Sequence, residues 1–440
     1  MKVMKFGGTS VGRPERMHRI SQLITRDDEP AIVVLSALSG TTNALVAIGA
    51  SLSKGERETA RQQIDKLAQY YHAFISALLT DESYFEKARS VIAEHFEFLH
   101  IILKISFNEA LNKDILAQGE LLSTKLFSVY LEQLSIDHVL LPALDFMTID
   151  AYDEPQIGSI KVKLSQLLQQ YPDKKLFITQ GYITRNARGE VDNLKRGGSD
   201  YSASLIAAAM NASVCEIWTD INGMHNNDPG EVIKTLPIEQ LSFEEAAELA
   251  YFGAKILHPA SIWPAQTYNI PVKLLNTLEP EEKGTLIVEE AASKGVKAVA
   301  AKDAIIAIKI KSSRMLLAYG FMRKIFEVFE KYRTPVDMIT TSEVAVSLTI
   351  DNAVHLKAIL KELEPFGAVE VDDNQTIISI VGNEITHTPD ILHKIFEALK
   401  SIPVRMVSYG GSRHNISLLI PGEYKSQTLL LLNKGLFGLE

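Results

Sequence analysis

Short apolar runs alternate with amphipathic stretches over the first 290 residues of the chain. The runs at residues 3–6, 31–36, 138–144 and 175–179 are almost continuously apolar, which is typical of parallel strands that are covered on both faces. Most of the segment from 54 to 131 has apolar residues at helical spacing. This alternation predicts an α/β sheet between helices. In such a sheet, ligands bind at the carboxyl ends of the strands.

The pattern changes after a polar break at residues 280–285, and two similar units follow. The first is predicted to have strands at 305–310, 336–341, 344–350 and 368–372 and helices at 320–332 and 354–364. The second is predicted to have strands at 376–381, 404–409 and 415–420 and helices at 388–400 and 424–437. Both fit a ferredoxin-like βαββαβ order, except that the second lacks one strand. The run at 296–301 supplies this strand if the first unit is inserted into the second.

These patterns divide the chain into three predicted domains, which are residues 1–290, residues 304–374, and residues 296–303 together with 375–440. A length of 440 residues agrees with more than one hydrophobic core. Small duplicated α/β units behind a large domain suggest a regulatory module. A purely structural dimerisation domain is the alternative.

Composition and charge exclude several classes of protein. The net charge of −9 argues against nucleic acid or an anionic membrane as the main partner. No apolar run approaches the ~20 residues that span a bilayer, and the chain starts with a strand rather than a signal-peptide pattern. Cys215 is the single cysteine, so an intrachain disulfide and a cysteine-cluster metal site are excluded. We therefore expect a cytoplasmic protein.

Two glycine-rich turns carry the candidate chemistry. The first strand ends in Gly7, Gly8 and Thr9, whose backbone N–H groups can face an anion, and Lys5 can add an ammonium. The second turn, at residues 195–201, has Arg196 before two glycines and Asp200 at the start of an alanine-rich helix. A tight turn and a helix N-cap are the structural alternatives.

Two further stretches are weaker candidates. The polar loop at residues 218–229 can hold a sugar or base, or can be an Asx-rich turn. Lys255 follows another glycine turn. The sequence contains no Walker A, G-x-G-x-x-G or H-E-x-x-H pattern. The turns and their cations indicate phosphoryl transfer without a covalent intermediate, and a non-catalytic anion sensor is the alternative.

Together these residues resemble the aspartate kinases of the amino-acid kinase family. The resemblance covers essentially the whole chain and rests on residues 5–11, 36–43, 119–121, 181, 196–200, 218–220, 252–255 and the paired C-terminal units, which look like ACT domains. It implies an amino-acid-kinase-like α/β/α sandwich followed by two ACT units, the first inserted into the second. It also implies ATP-dependent phosphorylation of the side-chain carboxylate of L-aspartate, as the first step towards lysine, threonine and methionine.

The resemblance implies a role for each matching residue. Lys5 would stabilise the transferring phosphoryl group, and Asp200 would hold Lys5. The implied aspartate-binding residues are Ser36, Thr42, Glu120, Arg196 and Ser199. The implied ATP-binding residues are Lys5, Gly7, Gly8, Thr9, Thr219, Asp220, His225, Asp228 and Lys255. Mg²⁺ would enter on the ATP phosphates, because no dedicated protein metal site is expected.

Two positions depart from the family pattern. His225 stands where a tyrosine is usual, and Gly230 stands where an arginine is usual. His225 can still stack on the nucleotide or bond to it. Gly230 cannot make the phosphate contact of an arginine.

The first ACT-like unit resembles lysine-inhibited members of the family. The implied effector residues are Met315, Ala318, Phe321, Met322, Asp337, Ser342 and Glu343. Ala318 replaces a common serine and removes one hydrogen bond. Lysine is therefore the expected effector and threonine the alternative.

Several expectations and alternatives follow from the resemblance. We expect a homodimer through the ACT units, and a form without a fused homoserine dehydrogenase. The competing functions are a related kinase that acts on glutamate or acetylglutamate, and a catalytically inactive amino-acid-binding regulator.

Overall fold

The computed structural model describes residues 1–195, 197–253, 257–291, 295–312, 315 and 319–439. They form two compact units. The first unit comprises Met1–Met224, Glu239–Phe243 and Ile256–Glu290. The second comprises His225–Ile238, Glu244–Lys255 and Ala291–Glu440, so two short segments from the first 290 residues pack with the C-terminal part. The predicted division into three domains stays a prediction.

An eight-stranded sheet organises the first unit, in the order β3-β4-β2-β1-β7-β9-β10-β8. A separate hairpin is formed by β5 and β6. The strands are β1 (Lys2–Phe6), β2 (Ala31–Leu35), β3 (Val139–Leu141), β4 (Leu176–Gln180), β5 (Ile183–Arg185), β6 (Val191–Asn193), β7 (Cys215–Thr219), β8 (Gln240–Ser242), β9 (Val272–Asn276) and β10 (Thr285–Val288). Neighbouring strands of the main sheet are parallel except for β9 and β10. Three of the four apolar runs thus become the buried strands β1, β2 and β4, and the fourth contains the edge strand β3.

Helices cover both faces of this sheet. The helices of the first unit are α1 (Gly8–Val11), α2 (Pro14–Ile24), α3 (Thr41–Ser53), α4 (Arg57–Leu78), α5 (Glu82–Ile102), α6 (Glu109–Gln133), α7 (Ala143–Phe146), α8 (Ile157–Leu168), α9 (Gly198–Met210) and α11 (Pro259–Thr267). Met4 and Phe6 of β1 share a core with α2 to α6. Lys5 lies between them in the strand, so its side chain points to the opposite face. On that face α9, which is rich in small residues, packs on β1, β2 and β7. The α/β/α sandwich is confirmed.

The second unit has one antiparallel six-stranded sheet, in the order β12-β13-β11-β14-β16-β15. Its strands are β11 (Gly295–Lys311), β12 (Ile339–Thr341), β13 (Ala345–Ile350), β14 (Ala368–Asn383), β15 (Met406–Ser408) and β16 (Asn415–Pro421). Its helices are α10 (Phe243–Tyr251), which starts in the first unit, α12 (Phe321–Lys331), α13 (Leu356–Leu363), α14 (Ile391–Ala398) and α15 (Lys425–Phe437), with 3₁₀ turns at Glu364–Phe366, Ile385–His387 and Gly422–Tyr424.

Two long strands are shared by both halves of this sheet. The predicted strands at 296–301 and 305–310 run on as β11, and those at 368–372 and 376–381 run on as β14. Residues 298–301 pair with 378–381, whereas residues 307–311 pair with 368–372 and with β13. The first half has its own core with α12 and α13, and the second has its own core with α14 and α15. The insertion of one unit into the other is confirmed.

The helices offer no membrane anchor within the described ranges. None of them combines the length and the apolar character that crossing a bilayer requires.

Candidate active site

A cavity of about 570 Å³ opens at the carboxyl ends of the central strands of the first unit. It is lined by Lys5, Gly7, Gly8, Thr9, Ser36, Ala37, Leu38, Ser39, Gly40, Thr42, Asn43, Glu120, Tyr182, Gly198, Ser199, Asp200, Trp218 and Thr219. Both glycine-rich turns contribute to it, although nearly 190 residues separate them in the sequence. This is where a parallel α/β sheet places its ligand.

Lys5 and Asp200 form the charged centre of the cavity. The Nζ of Lys5, on β1, lies 2.6 Å from Oδ1 of Asp200, in the first turn of α9, and both side chains are largely buried. Burial of an ammonium is costly unless an opposite charge pairs with it. Asp200 therefore holds the ammonium where it faces the cavity.

Two glycines make this approach possible. Gly197, the N-cap of α9, has φ 68°, which is a left-handed conformation that favours glycine. Gly181 follows β4, and a Cβ there would lie 2.4 Å from the Cβ of Ser199. The end of β4 and the first turn of α9 meet through this contact, which fixes Ser199 and Asp200 against the sheet.

The first glycine-rich turn leads directly into the short helix α1. Gly7 is its N-cap, and the N–H groups of Ser10 and Val11 donate to the Gly7 carbonyl oxygen at 2.9 and 3.1 Å. The earlier N–H groups, of Gly8 and Thr9, have no acceptor within a helix of this kind. Backbone donors beside the Lys5 ammonium suit a phosphate group.

Glu120 is the buried acid of the cavity, with an exposed fraction of only 4%. Its Oε1 accepts a hydrogen bond from the Ala37 N–H at 3.3 Å. Its Oε2 has no hydrogen-bond partner among the described residues. Burial raises the pKa of Glu120 to about 8. A buried carboxyl group with a free oxygen suits a cationic ligand group.

The remaining predicted aspartate-binding residues that the structure describes line the same cavity. Ser36 follows β2, and its N–H donates to the Phe6 carbonyl oxygen at 3.2 Å. Thr42 lies in the first turn of α3, and Ser199 lies in the first turn of α9. Arg196 lies outside the described residues.

The predicted ATP-binding residues are divided between the two units. Thr219 ends β7 and lines the cavity, and the exposed Asp220 follows it. His225 and Asp228 belong to the second unit. Lys255 lies outside the described residues.

Eight lining residues were not among the predicted site residues, and two of them, Trp218 and Tyr182, are aromatic. Trp218 stacks on Phe6, with ring centroids 5.8 Å apart. Tyr182 has φ 65°, and its N–H donates to Oγ of Ser202 at 2.8 Å. Burial, with a smaller effect of Glu120, raises the pKa of Tyr182 to about 12, which keeps its hydroxyl protonated. Its position directly after Gly181 at a strand end was the available signal.

The predicted effector residues lie in the second unit. Met315, Phe321 and Met322 pack against the core of its first half. Asp337 is almost fully buried, and its Oδ1 accepts from Lys302 at 2.7 Å and from the Tyr251 hydroxyl at 3.0 Å.

The second oxygen of Asp337, Oδ2, has no hydrogen-bond partner among the described residues. Ser342 and Glu343 are exposed in the turn between β12 and β13. Ala318 lies outside the described residues.

Comparisons with known proteins agree with this architecture. The sequence profile of the amino acid kinase family matches residues 1–276, and that of the ACT domain matches residues 378–436. The lysine-sensitive aspartokinase 3 of Escherichia coli is 33% identical over 447 residues, which cover 99% of both chains. The chloroplastic aspartokinase 3 of Arabidopsis thaliana is 34% identical over 465 residues, which cover 99% of this chain and 81% of that protein.

Solved structures show the same likeness. The E. coli aspartokinase III in complex with aspartate and ADP has a TM-score of 0.85 at 32% identity, over 99% of this chain and 100% of that chain. The same E. coli enzyme in complex with lysine and aspartate has a TM-score of 0.82 at 32% identity, over 99% of both chains. The chain therefore belongs to the amino acid kinase family and, within it, to the aspartokinases.

Proposed function

We propose that the protein transfers the γ-phosphoryl group of ATP to the side-chain carboxylate of L-aspartate, giving 4-phospho-L-aspartate and ADP. The observation that carries this proposal is the cavity in which the Lys5–Asp200 ion pair and the half-bonded Glu120 carboxyl group occur together. The Lys5 ammonium suits a phosphate and the Glu120 carboxyl group suits an ammonium, as a reaction between ATP and an amino acid requires.

The reaction needs charge stabilisation more than proton transfer. The aspartate side chain is ionised at neutral pH, so its oxygen attacks the γ-phosphorus without a general base, while the bond to the β–γ bridging oxygen breaks. Negative charge then spreads over the transferring group. The ammonium of Lys5 neutralises part of this charge, and Asp200 acts by holding Lys5 rather than as a base.

The other residues position the two substrates. Glu120 binds the ammonium group of the substrate aspartate. The carboxylate groups of this substrate are held by Ser36, Thr42, Ser199 and Arg196. The backbone of Gly7, Gly8 and Thr9 holds phosphate oxygens. The further ATP-binding residues are Thr219, Asp220, His225, Asp228 and Lys255. ATP enters as its Mg²⁺ complex, with the ion on the phosphate oxygens.

Regulation by lysine is the second part of the proposal. The free Oδ2 of the buried Asp337 and the exposed Glu343 carboxylate can each pair with an ammonium. Met315, Phe321 and Met322 surround an aliphatic stem, and Ser342 lies beside Glu343. Threonine carries only one ammonium and no such stem, and it remains the alternative effector.

We further propose a cytoplasmic homodimer joined through the second unit. The edge strands β12 and β15 each pair on one side only within the described sheet, and such edges tend to find a partner. Light scattering after size-exclusion chromatography tests the mass, and a monomer at micromolar concentration would contradict the proposal.

An ADP-release assay with aspartate, glutamate or acetylglutamate tests the reaction. We expect aspartate alone to support turnover. Turnover with glutamate or acetylglutamate would favour a related kinase. No turnover with any of the three would favour the inactive regulator, for which the His225 and Gly230 departures are the motivating observation.

A further inference from the structure

Residues 225–238, here called the nucleotide loop, follow β7 and carry the proposed ATP ligands His225 and Asp228. Only four residues of chain separate His225 from Asp220, which directly follows the cavity-lining end of β7. The loop nevertheless packs as part of the second unit. Its contacts with the last helix, α15, explain why.

Asn433 of α15 bridges the two ends of the nucleotide loop. Its Oδ1 accepts from Nδ2 of Asn226 at 3.1 Å, near the start of the loop. Its Nδ2 donates to the carbonyl oxygen of Lys234 at 2.9 Å, near the end of the loop. Asn433 is 1% exposed and Asn226 is 3% exposed. Since a buried amide is costly unless it is bonded, each group holds the other in place.

Asn226 also ties the loop to itself and to the sheet. Its Oδ1 accepts from the Leu236 N–H at 2.6 Å. Its carbonyl oxygen accepts from the Val299 N–H, on β11, at 2.8 Å. The backbone at the start of the loop is therefore fixed on both sides.

Further contacts attach the middle of the loop to α15. Nδ2 of Asn227 donates to the Leu429 carbonyl oxygen at 3.1 Å. Val232 is buried in the same apolar core as Leu429. Glu231 and Lys425 form an ion pair at 2.9 Å.

The proposed ATP ligands of the loop make none of the hydrogen bonds to α15 described above. Asp228 is exposed, and its Oδ1 accepts only from the nearby Gly230 N–H, at 2.8 Å, among the described hydrogen bonds. Nδ1 of His225 lies 2.8 Å from Oγ1 of Thr235, which leaves the other ring nitrogen for a ligand. The loop is thus held by α15 and β11, while Asp228 and one ring nitrogen of His225 are available to a ligand.

We propose that Asn433 is a positioning residue for ATP, because it sets the conformation of the nucleotide loop from the regulatory unit. This inference rests on the proposed function, which places the nucleotide at this loop. Asn433 makes no contact with substrate. It acts by keeping His225 and Asp228 at a fixed spacing, so that the nucleotide pays no cost for ordering them.

Asn433→Ala tests the proposal in the full-length protein. We expect the KM for ATP and the dissociation constant of MgADP, measured by titration calorimetry, to rise about tenfold. The KM for aspartate stays near the wild-type value. Asn433→Asp keeps the acceptor for Asn226 but loses the donor to Lys234, and we expect a smaller rise of the same kind.

Ser417→Ala is the matched control, since it also breaks a buried polar contact of the second unit, the 2.9 Å pair with Ser379, away from the loop. It should lower Tm and leave the MgADP affinity unchanged. Unchanged MgADP affinity in Asn433→Ala, or an equal rise in the KM values of both substrates, would overturn the proposal. If the Asn433→Ala variant does not fold, the MgADP dissociation constant of Asn433→Ser, measured by the same titration, tests the proposal instead.

The MgADP titration separates this proposal from the proposed reaction. If the wild-type protein binds MgADP but phosphorylates no amino acid, the proposed reaction fails and the titration still decides the role of Asn433. If the wild-type protein binds no MgADP, both proposals fail.

Discussion

Lys5 and Lys2 lie on the same buried strand, and each pairs with one carboxylate at 2.6 Å. Only Lys5 lines the cavity. We expect Lys5→Met to lower kcat by about 100- to 1000-fold, because the ammonium stabilises charge that develops in the transition state. Lys2→Met removes a similar ion pair with Asp27 and should leave kcat nearly unchanged. Steady-state kinetics of both variants, with Tm as the measure of folding, decide the matter, and a fast Lys5→Met enzyme would refute the assignment.

Glu120 makes the stability of the protein depend on pH. Burial raises its pKa from the ordinary value of 4.5 to about 8, so between these values the folded protein retains a proton that the unfolded chain has released. The free energy of unfolding therefore falls as the pH rises from 4.5 to about 8. Above about pH 8 the contribution of Glu120 to this free energy no longer changes with pH. We expect Glu120→Gln to be more stable than the wild type by about 2–4 kcal/mol at pH 9 and equally stable at pH 4, by chemical denaturation.

The same variant tests the substrate site. Because glutamine, unlike the Glu120 carboxyl group, cannot release a proton and become an anion beside the substrate ammonium, Glu120→Gln should raise the KM for aspartate and leave the KM for ATP unchanged. Wild-type affinity for aspartate would show that the carboxylate has no such role.

Contacts between elements hold the catalytic pair in place. Gly181 allows β4 to meet the first turn of α9, where a Cβ would lie 2.4 Å from the Cβ of Ser199. Gly181→Ala should push this turn, with Asp200, away from Lys5 and lower kcat by about 10- to 100-fold. Gly158→Ala, in α8, meets open space and serves as the control with unchanged kcat. A fully active Gly181→Ala enzyme would mean that α9 can shift without cost.

The sequence was informative about elements whose signals are local. Apolar runs marked the buried strands, and glycine turns marked the strand ends that line the cavity. The long strands β11 and β14 were predicted in pieces, because Ala304 and Asn374 interrupt them with φ values of 59° and 49°, and pairing carries each strand past the irregularity. The attachment of the nucleotide loop had no local signal, since Asn226 and Asn433 are 207 residues apart.

Regulation is a property of the whole molecule. Glu343 is exposed in the second unit, whereas the Lys5–Asp200 pair lies in the first. We expect Glu343→Ala to raise the lysine concentration for half-inhibition by about tenfold, through the loss of one charged contact, with kcat unchanged. Glu364→Ala, another exposed glutamate of the second unit, is the control. A lysine titration of the initial rate checks both, and unchanged inhibition would remove Glu343 from the effector site.

The shared strands β11 and β14 mean that one continuous backbone frame carries both ACT halves. A cut after residue 374 would divide β14 into one part that pairs with residues 307–311 of β11 and another that pairs with residues 295–305. A substitution that changes the path of either strand therefore disturbs the pairing of both halves at once.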